Sequence, residues 1–101
     1  NAVDVEENNL APKNYFLTAY PNPFNPLCKM EYNVPINSNS HLDIFSATGE
    51  LVKSYSGLSG SGYLSWDGSN ESGQKISSGV YFAILISNSG IISTQKLILQ
   101  K

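Results

Sequence analysis

The segment Cys28-Lys29-Met30-Glu31-Tyr32-Asn33-Val34-Pro35 decides how this chain folds. Cys28, Met30, Tyr32 and Val34 alternate with Lys29, Glu31 and Asn33, and a period of two puts the apolar set on one face of a strand. Pro35 ends that strand sharply, since it has no N–H to donate. The same period recurs outward in both directions, and no window carries sustained helical periodicity. Upstream, Phe16 to Tyr20 reads as a first short strand. Downstream, His41 to Phe45 places Leu42 and Ile44 on one face. The turn Ser46-Ala47-Thr48-Gly49 follows, with Gly49 free to take a positive φ, and Leu51 to Tyr55 returns as the other arm of a hairpin.

The rest of the chain continues the pattern. GLSGSG (57–62) reads as a glycine-rich connection into a strand at Tyr63 to Trp66. The loop from Asp67 to Ser78 contains DGSNESG, which is turn chemistry. VYFAILI, Val80 to Ile86, is apolar at every position, which predicts a central strand covered on both faces. Asn88-Ser89-Gly90 signals a tight turn, and Ile91 to Leu99 closes the series. Strands spaced by about 8–12 residues, with no helix, predict an all-β fold, an immunoglobulin-like antiparallel β-sandwich of about seven strands. The sandwich is expected over residues 15–101. Residues 1–14, NAVDVEENNLAPKN, are polar, acidic and patternless, and are expected to be a linker arm.

Composition narrows the function. The chain has 101 residues, a net charge of −2 and only six Lys or Arg. That charge lacks the basic patch a nucleic-acid binder needs. No run approaches the ~18 consecutive apolar residues of a membrane span, so membrane insertion is not expected. The chain starts at Asn1, without Met, and is expected to be an excised piece of a longer protein. A single cysteine, Cys28, excludes an internal disulfide and reads as a small buried apolar residue on its strand.

Candidate sites are few. Asp67, Ser69, Asn70 and Glu71 gather oxygen atoms in one loop, but their spacing misses the EF-hand pattern. Asp67, Asn70 and Glu71 are therefore only weak calcium candidates beside a structural turn. Asn70-Glu71-Ser72 matches a glycosylation sequon, a match read as accidental. His41 is the sole histidine and lacks a ligand companion, while GLSGSG lacks the spacing of a phosphate cradle. No nucleophile–base pair stands out, so neither catalytic residues nor a cofactor are expected. Tyr55, Tyr63, Tyr81 and Phe82 are the candidates for an exposed aromatic row. That row would suit an accessory carbohydrate-binding module; a structural spacer is a further alternative.

One ordered set of motifs is more specific than the fold. It starts with Pro21-Asn22-Pro23-Phe24-Asn25-Pro26, then Met30-Glu31-Tyr32-Asn33-Val34-Pro35, then Leu42-Asp43-Ile44-Phe45 with the Gly49-Glu50-Leu51-Val52 hairpin. It continues through Trp66-Asp67-Gly68, Gly73 and Ser78-Gly79-Val80-Tyr81-Phe82 to Gln95-Lys96-Leu97-Ile98-Leu99-Gln100-Lys101. In that order and spacing, over about residues 15–101, the chain closely resembles the type A C-terminal sorting domains of the type nine (Por) secretion system of Bacteroidetes-like bacteria. The Trp-Asp-Gly, Gly and Ser-Gly-Val-Tyr portion is also similar to the immunoglobulin-like domain of flagellar hook-cap proteins. Ser46 and Cys28 stand where many sorting domains carry Asp and Thr.

The first resemblance implies a non-enzymatic module that directs an exported cargo through the periplasm and across the outer membrane to the cell surface or medium. Its implied partners are the outer-membrane secretion machinery and a surface peptidase, and the module itself is expected to be monomeric. Lys96, Leu97, Ile98, Leu99, Gln100 and Lys101 are the expected recognition segment. Leu97 and Leu99 should face the core, Lys96 and Ile98 should face outward, and a last strand at a sheet edge offers backbone pairing to a partner. The proline run, with Phe24 as an apolar plug, is expected to be architectural.

Overall fold

The computed structural model describes residues 15–101, and the linker arm expected over 1–14 lies outside the described residues. Among the described residues seven strands follow one another: β1 Phe16–Tyr20, β2 Cys28–Asn33, β3 Ser40–Ser46, β4 Leu51–Leu58, β5 Ser61–Trp66, β6 Gly79–Ser87 and β7 Gly90–Leu99. They form two antiparallel sheets, β1-β2-β5 and β4-β3-β6-β7, stacked as a β-sandwich.

The alternation of the deciding segment sets the core. Cys28 and Met30 of β2 are buried, whereas Lys29 is exposed. Across the three-stranded sheet the inward rungs read Ala19–Met30–Leu64 and Cys28–Trp66. The facing sheet supplies Leu42 opposite Leu85, Ile44 opposite Ala83, and Tyr81 opposite Leu97, all buried. Each large side chain enclosed this way contributes roughly 1.5–3 kcal/mol of apolar transfer. Cys28 is fully buried, and that burial pushes its thiol pKa up to about 11, against a weaker opposing backbone hydrogen bond from Tyr20.

Two details depart from the expectations. GLSGSG is not a free connection: β4 runs through Leu58 and β5 begins at Ser61, leaving Ser59-Gly60 between them, with Gly60 at φ 67. Gly62 lies within β5 opposite Tyr32, whose ring occupies the space a Cβ would take. Glycine there lets the aromatic ring cover the backbone, so strand pairing persists through a sequence that reads as a loop. The second departure concerns β6. Tyr81, Ala83 and Leu85 point into the core, whereas Val80, Phe82, Ile84 and Ile86 are only half-buried on the outer face. The strand is central within its sheet, and its outer face is shielded by neighbouring strands instead of by a further layer.

The two sheets are also clasped at their sides. Gln95 Nε2 on β7 donates to the Leu17 carbonyl on β1 (2.7 Å), and Tyr55 Oη on β4 donates to the Ser65 carbonyl on β5 (3.2 Å).

Candidate functional site

The proline run and the C-terminal strand form one unit. Beyond Tyr20 the chain leaves β1 and lies along the outer edge of β7, with cis peptide bonds at Tyr20-Pro21, Asn22-Pro23 and Asn25-Pro26. Asn22 acts there as a surrogate strand residue. Its Nδ2 donates to the Lys96 carbonyl (2.6 Å), and its Oδ1 accepts from the Ile98 N–H (2.9 Å). A side-chain amide carries the same donor and acceptor as a peptide group, so it can fill one rung of a β-ladder. Phe24 supplies the next rung through its main chain: its N–H donates to the Ile98 carbonyl (2.9 Å), and its carbonyl accepts from Gln100 N–H (3.0 Å). A parallel bridge pairs Phe24 with Leu99.

The Phe24 side chain turns the other way, into the end of the sandwich, where it is 1% exposed. Its ring lies 5.4 Å from that of Trp66 at a tilt of 48°, and the Trp66 ring lies 5.4 Å from that of Tyr81, edge to face. Both polar tips are satisfied: Trp66 Nε1 donates to the Ser69 carbonyl (2.8 Å) and Tyr81 Oη to the Ser77 carbonyl (2.6 Å). Phe24 therefore joins the two halves of the molecule's signature, plugging the core with its ring while its backbone pairs with the tail.

The tail keeps the alternation expected of it. Leu97 and Leu99 are buried, Ile98 is half-buried, and Lys96, Gln100 and Lys101 are exposed. Lys101 is nonetheless held: its N–H donates to Ser78 Oγ (3.1 Å) and its Nζ to the Ile76 carbonyl. A shallow depression of about 330 Å³ lies beside it, lined by Asn25, Pro26, Asp67, Lys75, Leu99 and Lys101. β7 is an edge strand in sheet order, as expected, but its edge from Lys96 to Gln100 is occupied by the chain's own proline run.

The Trp-Asp-Gly loop does the same at the opposite edge of this sheet. Glu71 N–H donates to the Val52 carbonyl (3.1 Å), and Glu71 Oε2 accepts from the Ser54 N–H (2.7 Å), which occupies the outward groups of β4 at Val52 and Ser54. The three oxygen residues considered for calcium point to separate partners. Asp67 accepts from Ser69 Oγ (2.5 Å) and pairs with Lys75 (3.2 Å), and chiefly that Ser69 bond holds its carboxyl below the usual range. Asn70 Oδ1 accepts from the N–H groups of Ser72 and Gln74, both at 3.0 Å. Among the described residues, no three His, Cys, Asp or Glu side chains are grouped to hold a metal. Gly68, at φ 77, is tightly placed: a Cβ there would stand 3.0 Å from Leu99 Cδ2. Gly49 (φ 91) and Gly73 (φ 81) close their turns through N–H bonds of 2.9 Å to the Ser46 and Asn70 carbonyls, and Gly79 begins β6 opposite Leu99.

The remaining candidates are dispersed. His41 Nε2 lies 3.6 Å from Asp43 Oδ2, and Ser54 Oγ donates to Asp43 Oδ1 (2.6 Å). The carboxylate stands between serine and histidine, so this imidazole does not take up the serine proton as a general base must. The four aromatics form no flat row. Tyr81 is in the core, Tyr55 and Phe82 are half-buried, and Tyr63 is exposed on the outer face of the three-stranded sheet with Lys29 Nζ over its ring at 4.4 Å. Sequence reading placed Asn22 and Glu71 in their motifs without their strand-capping roles. A polar side chain with peptide-like or carboxylate oxygens beside a strand of known register is the signal that marks them.

The secretion system C-terminal sorting domain family matches residues 18–100. No curated relative matches the chain. Among solved structures, the dimeric latent PorU of Porphyromonas gingivalis superposes with a TM-score of 0.69 at 24% identity, over 88% of this chain and 9% of that one. PorZ of the same organism, described as an essential surface component of its type-IX secretion system, gives 0.60 at 15% identity, over 84% and 11%. FlgD of P. aeruginosa gives 0.50 at 23% identity, over 71% and 60%. These three likenesses concern the sandwich fold, and the chain spans only about a tenth of the PorU and PorZ chains. With a family match across nearly all of its length, the chain belongs to the secretion system C-terminal sorting domains, which address proteins to the type nine machinery for export across the outer membrane to the cell surface.

Proposed function

We propose that this domain works as a non-enzymatic address whose tail, Lys96 to Lys101, is the segment the outer-membrane secretion machinery reads. The cargo lies before the sandwich and waits in the periplasm until the address is engaged. A surface peptidase then removes the module, with residues 1–14 as the arm that joins it to the cargo. The supporting observation is the treatment of the tail. Its apolar residues anchor it in the core while Lys96, Gln100 and Lys101 remain exposed beside the proline run. The sorting-domain family supports a module without chemistry of its own.

Fusing residues 1–101 to the end of a periplasmic reporter tests this in a host that carries the system. The reporter is expected at the cell surface or in the medium, and loss of Lys96 to Lys101 is expected to retain it inside. Periplasmic retention of a stable, intact fusion would sink the reading.

A further inference from the structure

The edge strand that carries the tail is open in the sheet order but occupied from Lys96 to Gln100. Four hydrogen bonds, two from the Asn22 side chain and two from the Phe24 main chain, occupy the outward-facing groups from Lys96 O to Gln100 N. A partner strand added at that stretch would need those same groups, and a ladder group already bonded offers nothing to an incoming chain. The exposed atoms are instead side chains: Lys96, Gln100 and Lys101 of the tail, with Asn25 and Pro26 of the run beside the depression over Leu99.

We propose that the sorting signal is a composite of two segments about 75 residues apart, in which Asn22 positions the tail and the secretion machinery reads its folded side-chain surface, not its backbone edge. This rests on the sorting reading above and specifies the surface that reading leaves open. Asn22 is a positioning residue: it fixes Lys96 and Ile98 in register, so the charges at Lys96 and Lys101 stand at a set separation on one rigid end.

The test compares whole-chain reporter fusions carrying Asn22→Ala, Glu71→Ala, Lys96→Glu or no change. Glu71→Ala is the matched control, because it removes a side-chain cap from the other edge of the same sheet. Export, melting temperature and amide exchange at Ile98 are measured for each. With two hydrogen bonds lost, exchange at Ile98 is expected to quicken about tenfold or more in Asn22→Ala. Export is expected to fall by a similar factor in Asn22→Ala, and in Lys96→Glu without a change in melting temperature. Glu71→Ala should export normally. If Asn22→Ala frees Ile98 while export is unchanged or improved, the tail is read as a released strand and the proposal is overturned. If export merely follows melting temperature across Asn22→Ala and Glu71→Ala, Asn22 is only structural and the proposal is again overturned. Retention of the unchanged fusion, by contrast, refutes the sorting reading itself, and this inference with it.

Discussion

The two edges of the four-stranded sheet are closed by the same device put to different uses. At β4 the cap is Glu71, one residue of a turn-rich loop, joined through its N–H and one carboxylate oxygen. At β7 the cap is the stretch from Asn22 to Phe24, joined through four hydrogen bonds, and the Phe24 ring also closes the core. Unpaired edges invite pairing with other chains, and each cap occupies edge groups that such pairing would use. In the second the capping residue Phe24 itself buries its ring in the core, whereas Glu71 is exposed. The difference teaches that closing an edge needs few bonds, whereas fixing a terminal strand in a set position needs an apolar anchor too.

The largest disturbance of this asymmetry is Phe24→Ala. The ring is buried against Trp66, so the change is expected to cost about 3–5 kcal/mol and release the tail, read as a lower denaturant midpoint and faster exchange at Gln100. Gly68→Ala comes next. It forces a left-handed residue against Leu99 and is expected to cost roughly 1–3 kcal/mol by chemical denaturation, at the place where the loop touches the tail. Glu71→Ala should cost about 1 kcal/mol and quicken exchange at Ser54, leaving Ile98 protected; equal loosening of both amides would break the comparison.

Alkaline pH offers a milder probe of the β4 side. Burial, reinforced by Asp67 and Glu71, pushes Tyr55 up to about 12 from 10.0, and burial pushes Cys28 up to about 11 from 9.0. Each group keeps its proton longer in the folded chain than in the unfolded one. Their contribution is therefore complete below pH 9.0 and is lost as pH rises toward 11 and 12. The melting temperature should fall over that window, with the Tyr55 clasp to Ser65 weakening while the Gln95 clasp to Leu17 holds. Smallest of all is Lys75→Ala. It removes an exposed ion pair with Asp67 and is expected to shift stability by no more than about 0.5–1 kcal/mol, with both edges unmoved.

The strands were legible because the inward face of each is spelled by alternation. Cys28, Met30, Leu42, Ile44, Leu97 and Leu99 are apolar at every second place and buried there. The glycine-rich connection was not, because Gly57 and Gly62 have no side chain to spell an alternation, although both lie within strands and Gly62 pairs with Tyr32. For the candidate site, the tail's inward and outward residues could be read from the same alternation. The occupied state of its edge could not, since the groups that fill it come from Asn22 and Phe24, 74 or more residues away in sequence.

Local chemistry thus determined the strand periods, the turns at Gly49 and Gly73, and the ordered motifs that mark the family. Those properties depend on neighbouring φ, ψ and side-chain alternation, which a linear sequence states directly. Only the tertiary structure decided that the proline run lies on the tail, that Phe24 stacks on Trp66, and that Glu71 caps the far edge. Each of those contacts depends on how two sheets stack and which strand ends where. That arrangement follows from packing the whole core at once, and no local pattern encodes it.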